Sequence, residues 1–312
     1  MNTMPRLSRE QRKTVLHMLV EGMSMRAIRR VAEVHLDTIT RLLIDAGKAC
    51  LQFHNENVRN LRKTKRVEVD EIWAFIYAKQ KRVPYLSKKA PPEAGDVWTW
   101  TALDADNKLL VSWVVGQRDL GSAYELMMDM AERIPHRIQL TTDGLQSYLP
   151  AVEDVFGADI DFAQIVKLYG PAKDTDEATT AARYSPPTCR GVRVNRVTGD
   201  PDPKRISTSY VERHNLTMRI GNRRFGRLTN AFSKRLVNHA YQVALFVTFY
   251  NWVRIHQTLE VTPAMAAGLT RELYDMDWLV GLVEARDSQP GPRGPYKREG
   301  RKKRSDAGKK RK

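Results

Sequence analysis

The sequence predicts an α/β fold, a mixed sheet flanked by helices behind a small all-α domain, and three observations predict it. Residues 8–43 carry apolar residues at helical spacing, with Ser8 and Ser24 placed to cap helix starts. From residue 66 the period changes to two, in β-branched and aromatic runs at 66–77, 97–103 and 108–115. Beyond residue 120, helical and extended patterns alternate, as they do when helices cover a sheet.

The first domain, residues 5–60, holds three short helices. Ser8 starts one that runs to about Glu21, and Ser24 starts a second with Ala27, Ile28 and Val31 on its apolar side. The third buries Ile39, Leu42 and Leu43 and turns Leu36, Asp37, Thr38 and Arg41 outward. That is helix-turn-helix spacing, with the third helix where a major-groove reader would sit. Arg26, Arg29 and Arg30 on the middle helix suit phosphate contact. Residues 55–65 form the linker.

The second domain spans residues 66–258. Its first strand, 66–77, is followed by a proline-broken basic loop at 79–96 and by strands at 97–103 and 108–115. Ser122 and Glu125 make a capping box for a helix at 123–133. A fourth strand at 137–142 ends at Asp143-Gly144, a helix at 147–156 follows, and 160–167 is a fifth strand. Three strands, then helix, strand, helix, strand and helix, is the order of a ribonuclease H-like fold. Residues 169–206, with five prolines, are expected to be an irregular insertion.

Composition fits a binder of polyanions. Of 312 residues, 42% are hydrophobic and 28% charged, as in a globular protein with a sizeable core, and the formal net charge is +16. Eleven lysines and arginines against two acids fall in residues 293–312, a basic tail too polar to fold alone. Two isolated cysteines, Cys50 and Cys189, exclude a zinc ribbon and a disulfide framework and fit a reducing compartment. With no apolar run long enough for a membrane and no secretory signal, the expected location is the cytoplasm, at the nucleoid.

Three acids are candidates for chemistry, each with a plainer reading beside it: an exposed strand face for Asp70, an Asp-Gly turn for Asp143 and a helix cap for Glu212. Asp70 lies mid-strand, where a carboxylate loses hydration unless a cation pairs with it. Glu68 and Ile72 share its side, and Glu71 takes the other. Asp143 ends a strand at the edge where α/β sheets collect functional groups. Glu212 opens a late helix, where it also completes a capping box with Ser209. Glu212, Asn215 and Arg219 share a polar helix face, and Arg213, Arg219, Arg223, Arg224 and Arg227 line a basic neighbourhood suited to phosphate. His214 is open between a general base, a DNA contact and a plain surface histidine.

The segments Asp70-Glu-Ile-Trp73, Ala78-Lys79, Thr142-Asp-Gly144, Val211-Glu-Arg-His-Asn-Leu216 with Arg219, and Phe232-Ser-Lys234 followed by His239 resemble the transposases of the insertion sequence 1 family. The likeness runs through most of residues 66–258. It implies an Asp-Asp-Glu centre at Asp70, Asp143 and Glu212 that holds Mg²⁺ or Mn²⁺, two ions being expected. It also implies DNA as partner, both the terminal inverted repeats of an element and target DNA, with a homodimer or higher oligomer in the synaptic complex. His214, Asn215, Arg219, Arg223 and Arg224 are then expected at the DNA. The chain departs from some family members in lacking a cysteine-rich zinc segment ahead of the helix-turn-helix. The rival expectations are a non-catalytic helix-turn-helix regulator and a structure-specific nuclease of the same fold.

The remaining chain is a strongly apolar helix at 236–253, short helices within 259–287, and the tail from 288 to 312.

Overall fold

A computed structural model describes residues 7–87, 90–170, 188–226 and 229–286. The basic tail, Arg227, and residues 171–187 of the expected insertion lie outside the described residues.

Three helices open the chain: α1 (Arg9–Val20), α2 (Met25–Ala32) and α3 (Leu36–Asn57). Ser8 caps α1 in a full capping box with Gln11, and Ser24 accepts the Ala27 N–H at the start of α2. These caps leave the α1–α2 turn to Gly22, whose backbone is left-handed at φ 77°. The sheet is built from β1 (Arg66–Ile76), β2 (Gly95–Asp104), β3 (Leu110–Gly116), β4 (Gln139–Asp143), β5 (Asp161–Gly170) and β6 (Thr188–Thr198). Between them run α4 (Leu120–Arg133) and α5 (Tyr148–Phe156), and after β6 come α6 (Ser209–Gly221), α7 (Leu236–Thr248), α8 (Pro263–Ala267) and α9 (Met276–Ala285).

Strand order is β3-β2-β1-β4-β5-β6. β1 pairs antiparallel with β2 and parallel with β4, β4 pairs parallel with β5, and β6 returns antiparallel along β5. The first five strands have the ribonuclease H-like arrangement. Alternation along β1 splits the core. Val67 and Val69 pack under α4 and α5 with Leu126, Met130 and Val152, while Ile72, Ala74 and Ile76 pack under α6 and α7 with Val211, Met218 and Phe246.

Two expectations are corrected. α4 starts three residues before the expected box, because Asp119 is the N-cap and accepts the Ser122 N–H at 2.9 Å. The stretch 169–206 is not all irregular. It contains β6, whose alternating Val192, Val194 and Arg193, Asn195 pair with β5. The basic loop at 79–96 also includes a turn of 3₁₀ helix at Gln80–Tyr85.

The N-terminal helices share one core with the end of the chain. Leu16, Leu19, Leu43 and Ala46 pack with Leu245 of α7 and Leu279, Val280 and Val283 of α9. A Cβ on Gly47 would fall 2.2 Å from that of Tyr241, so α3 and α7 meet at near-backbone distance there. The last turn of α3 reaches the sheet: His54 Nε2 lies 3.1 Å from the Val111 carbonyl oxygen. Phe53 meets Trp252 and Trp278 edge-on at 4.9 and 5.1 Å. The α1–α2 turn rests on α6, where a Cβ on Gly22 would lie 2.3 Å from the Ile220 carbonyl oxygen. Among the described residues no helix is long and apolar enough to cross a membrane.

Candidate functional site

The length of β4 creates the site. Its pairing with β1 ends at Val69–Thr142 and with β5 at Asp143–Ile165. β1 continues to Ile76 and β5 to Gly170. The short strand therefore leaves a notch at the carboxyl end of the sheet, about 10 Å wide from two strand spacings, with Asp143 and Gly144 at its floor.

Asp70 and Glu71 leave opposite faces of β1, as alternation requires. Because β4 has ended, no strand separates them on that side, and one oxygen each from Asp70, Glu71 and Asp143 lies within 4.8 Å of the others. Among the described residues this is the one cluster of its kind. Glu71 was not expected here: period-two reading assigns it to the far face, and only the register of β4 shows that both faces open onto one notch.

Each acid is held by a different element. On the α6 face, Asn215 Nδ2 donates to Asp70 Oδ2 at 2.8 Å. The Thr101 hydroxyl, across from Asp70 on β2, lies 3.1 Å from Asn215 Oδ1 and fixes the amide. On the α5 face, Glu71 accepts from Arg118 Nε at 2.7 Å and from the Tyr148 hydroxyl at 3.0 Å. Asp143 accepts the Leu145 N–H at 3.0 Å, with Arg118 Nη2 at 3.7 Å. Gly144 is required by space, since a Cβ there would lie 2.9 Å from a Val166 methyl.

Burial dominates the electrostatics. It pushes the Asp70 carboxyl up to about 7, helped by Glu71 and, more weakly, Asp143. Burial raises Glu71 too, with Asp143 adding to it, and raises Asp143 despite the Leu145 N–H. Arg118 opposes part of this for Glu71 and Asp143. Three hard oxygen donors that repel one another suit an oxygen-seeking divalent cation such as Mg²⁺ or Mn²⁺.

Glu212 is outside this cluster. Its Oε1 accepts from Lys167 Nζ of β5 and from the Thr208 hydroxyl at 2.7 Å, and its side chain is 42% exposed. It remains near enough to raise Asp143 electrostatically. The expected Ser209–Glu212 capping box does not form: Thr208 is the N-cap residue and makes no side-chain cap bond. The cap comes from the sheet. Glu68 Oε2 accepts the Tyr210 and Val211 N–H groups at 2.8 and 3.0 Å, so β1 fixes the start of the helix that carries Glu212. Sequence reading placed Glu68 beside Asp70 without a role.

The residues expected at DNA divide into two groups. Arg26, Arg29, Arg30, Asp37, Arg41 and Arg223 are exposed, and Leu36, Thr38 and Arg219 are half-buried. His214 is not on the surface. It is 3% exposed, stacks edge-on against Tyr250 at 4.6 Å, and burial lowers its pKa to about 3, so it stays neutral. Asn215 is 5% exposed and faces Asp70. Arg224 donates to the Ser233 hydroxyl at 2.9 Å and is drawn down to about 10 by burial. The stripe Val211, His214, Asn215 and Met218 is the buried side of α6.

No protein-family model and no curated protein sequence matches the chain. Among solved structures it is similar to the Mos1 strand transfer complex, at 12% identity over 51% of this chain and 58% of that one, with a TM-score of 0.22. A pre-cleavage Mos1 transpososome gives 11% identity over 51% and 59%, TM-score 0.21. The chain thus spans under two thirds of the Mos1 chains. The piggyBac transposase synaptic complex with hairpin DNA gives 10% identity over 90% of this chain and 73% of that one, with a TM-score of 0.38.

Proposed function

We propose that this protein is a metal-dependent DNA transposase, which cleaves phosphodiester bonds at the ends of an insertion element and joins the 3′-hydroxyls to target DNA. The observation that carries the reading is the convergence of Asp70, Glu71 and Asp143 in the notch of a ribonuclease H-like sheet, beside a helix whose acid and motif resemble those of insertion sequence 1 transposases. The net charge of +16 supports a polyanionic partner.

Asp70 and Asp143 would hold Mg²⁺ or Mn²⁺, with Glu71 beside them and Glu212 completing a second position. Bound there, such ions lower the pKa of a water or 3′-hydroxyl and stabilise the leaving oxygen. The chain supplies the rest. Asn215 and Thr101 orient Asp70, and Arg118 and Tyr148 orient Glu71. Glu68 anchors α6. Arg41, with Leu36, Asp37 and Thr38, would read the terminal repeats from the first turns of α3, while Arg26, Arg29 and Arg30 hold phosphates. Arg219 and Arg223 would add phosphate contacts nearer the cut. Pairing of two element ends calls for a homodimer or larger assembly, with DNA at the nucleoid as substrate.

The test is nicking of DNA bearing the element's ends, with and without Mg²⁺. Asp143→Asn should reduce cleavage to background while end binding stays near wild type, because the reading helix is elsewhere. Wild-type nicking by Asp143→Asn, or nicking unaffected by chelator, overturns the proposal.

A further inference from the structure

Beyond the notch, the sheet has an outer edge with a composition of its own. β6 is the last strand, and its eleven residues, Thr188–Thr198, contain Arg190, Arg193 and Arg196 and no acid. All three arginines are exposed, and so are Val192, Val194 and Val197, at 56%, 47% and 43%. Valines this open on a strand mean that no described helix covers either side of the edge. α4 and α5 stop at β5 on one face, and α6 lies over β1 and β2 on the other.

Register ties this edge to the site. Lys167 is paired with Val192, Ile165 with Val194 and Ala163 with Arg196, so Val192, Val194 and Arg196 share the face on which Lys167 holds Glu212. Arg193 is paired with Val166 and shares the other face, the one against the Asp143–Gly144 turn. Arg190 sits where the register shifts near the end of the pairing. β5 and β6 together overhang the end of β4, forming one wall of the notch.

We propose that the β5–β6 ribbon is a DNA-docking surface, which grips the sugar-phosphate backbone beside the acidic notch through Arg190, Arg193 and Arg196. This rests on the transposase reading for its polyanionic partner and adds a surface to it. Charge complementarity selects the occupant, because a strand with three cations and no anion repels a second copy of itself along that edge. From Arg190 to Arg196 is about 20 Å of extended strand, a span that covers several phosphates at about 3.4 Å per nucleotide of one strand. The valines offer apolar contact to sugars and thymine methyls, as β-ribbon readers do. Lys167, at the inner margin, extends the cationic track to Glu212.

The experiment uses the full chain and a fluorescent 40-base-pair duplex of random sequence, with binding followed against salt. Replacing all three arginines (R190Q/R193Q/R196Q) should lower the slope of log K against log salt by about 2 to 3, at about 0.9 per phosphate lost. The melting temperature should not move, and the triple lysine variant should keep the slope. A second readout needs no mutation: Cys189 is exposed and Cys50 buried, so bound duplex should protect the Cys189 thiol from maleimide. An unchanged slope with unprotected Cys189 overturns the ribbon and leaves the transposase reading standing. A change in sedimentation with no change in slope also overturns it, since the edge would then join copies of the chain. Absence of salt-dependent binding by the wild type would overturn both.

Discussion

Asp70, Glu71 and Asp143 are held together in the notch, whereas Glu212 is held at its margin by Lys167 of β5. The first three rest on an amide fixed by Thr101, a tyrosine hydroxyl in the core and a backbone N–H at a turn, with Arg118 offsetting part of the charge of Glu71 and Asp143. Burial raises all three. Glu212 is half-exposed and already has a cation, Lys167. The sheet acids keep an electrostatic deficit that a cation, if bound there as proposed, would relieve. Glu212 must first give up a partner, which a phosphate competing for Lys167 would release.

The largest expected effect separates the two settings. In calorimetry without DNA, Glu71→Gln should weaken Mn²⁺ or Mg²⁺ binding by about 10- to 100-fold, the usual range for disturbing a metal site, and Glu212→Gln should leave it nearly unchanged. In strand transfer with DNA present, Glu212→Gln should nonetheless be inactive. Equal loss of DNA-free metal affinity in both variants would erase the contrast.

A smaller effect concerns pH in chelator. Asp70 stands at 3.8 when unfolded and about 7 when folded. A raised carboxyl stabilises the protonated fold, so its contribution is full below about 4 and is lost as pH rises through 7. At about 1.4 kcal/mol per unit, metal-free stability should fall by up to about 4 kcal/mol across that window. Asp70→Asn should flatten the profile, and Glu212→Gln should not. A profile that Asp70→Asn leaves unaltered would show the deficit is not there.

The smallest effects test how Glu212 is presented. Glu68→Ala removes a charged acceptor of two helix N–H groups and should cost about 2 kcal/mol. Ser209→Ala, at an exposed position whose hydroxyl meets that of Ser207, should stay within about 0.5 kcal/mol. Denaturant unfolding measures both, and equal losses would return the cap to Ser209.

Much of the fold was legible because local pattern and final structure agree. Strands β1 to β3 follow their period-two runs, β4 and β5 fall on the two later stretches read as strands, and Ser8 and Ser24 cap where expected. β6 also alternates, but prolines on both sides of it obscured the signal. At the candidate site, sequence pattern singled out Asp70 and Asp143 but neither Glu71 nor the grouping of the three. Glu71 joins Asp70 because β4 ends early, a property of the sheet that no single strand records. His214 was misplaced for a local reason: Val211 and Met218, three before and four after, already marked its face as buried.

α3 runs unbroken from Leu36 to Asn57, 22 residues and about 33 Å. Its first turn is the expected groove reader, and its last is tied to the sheet through His54 and to Trp252 and Trp278 through Phe53. With Gly47 seated on Tyr241 midway, the helix is a ruler with both ends fixed. A residue inserted between them would turn the reader about 100° and move it about 1.5 Å. Under the proposed function, the offset between the bases read and the bond cut would then be a dimension of the protein, tunable only by whole helical turns.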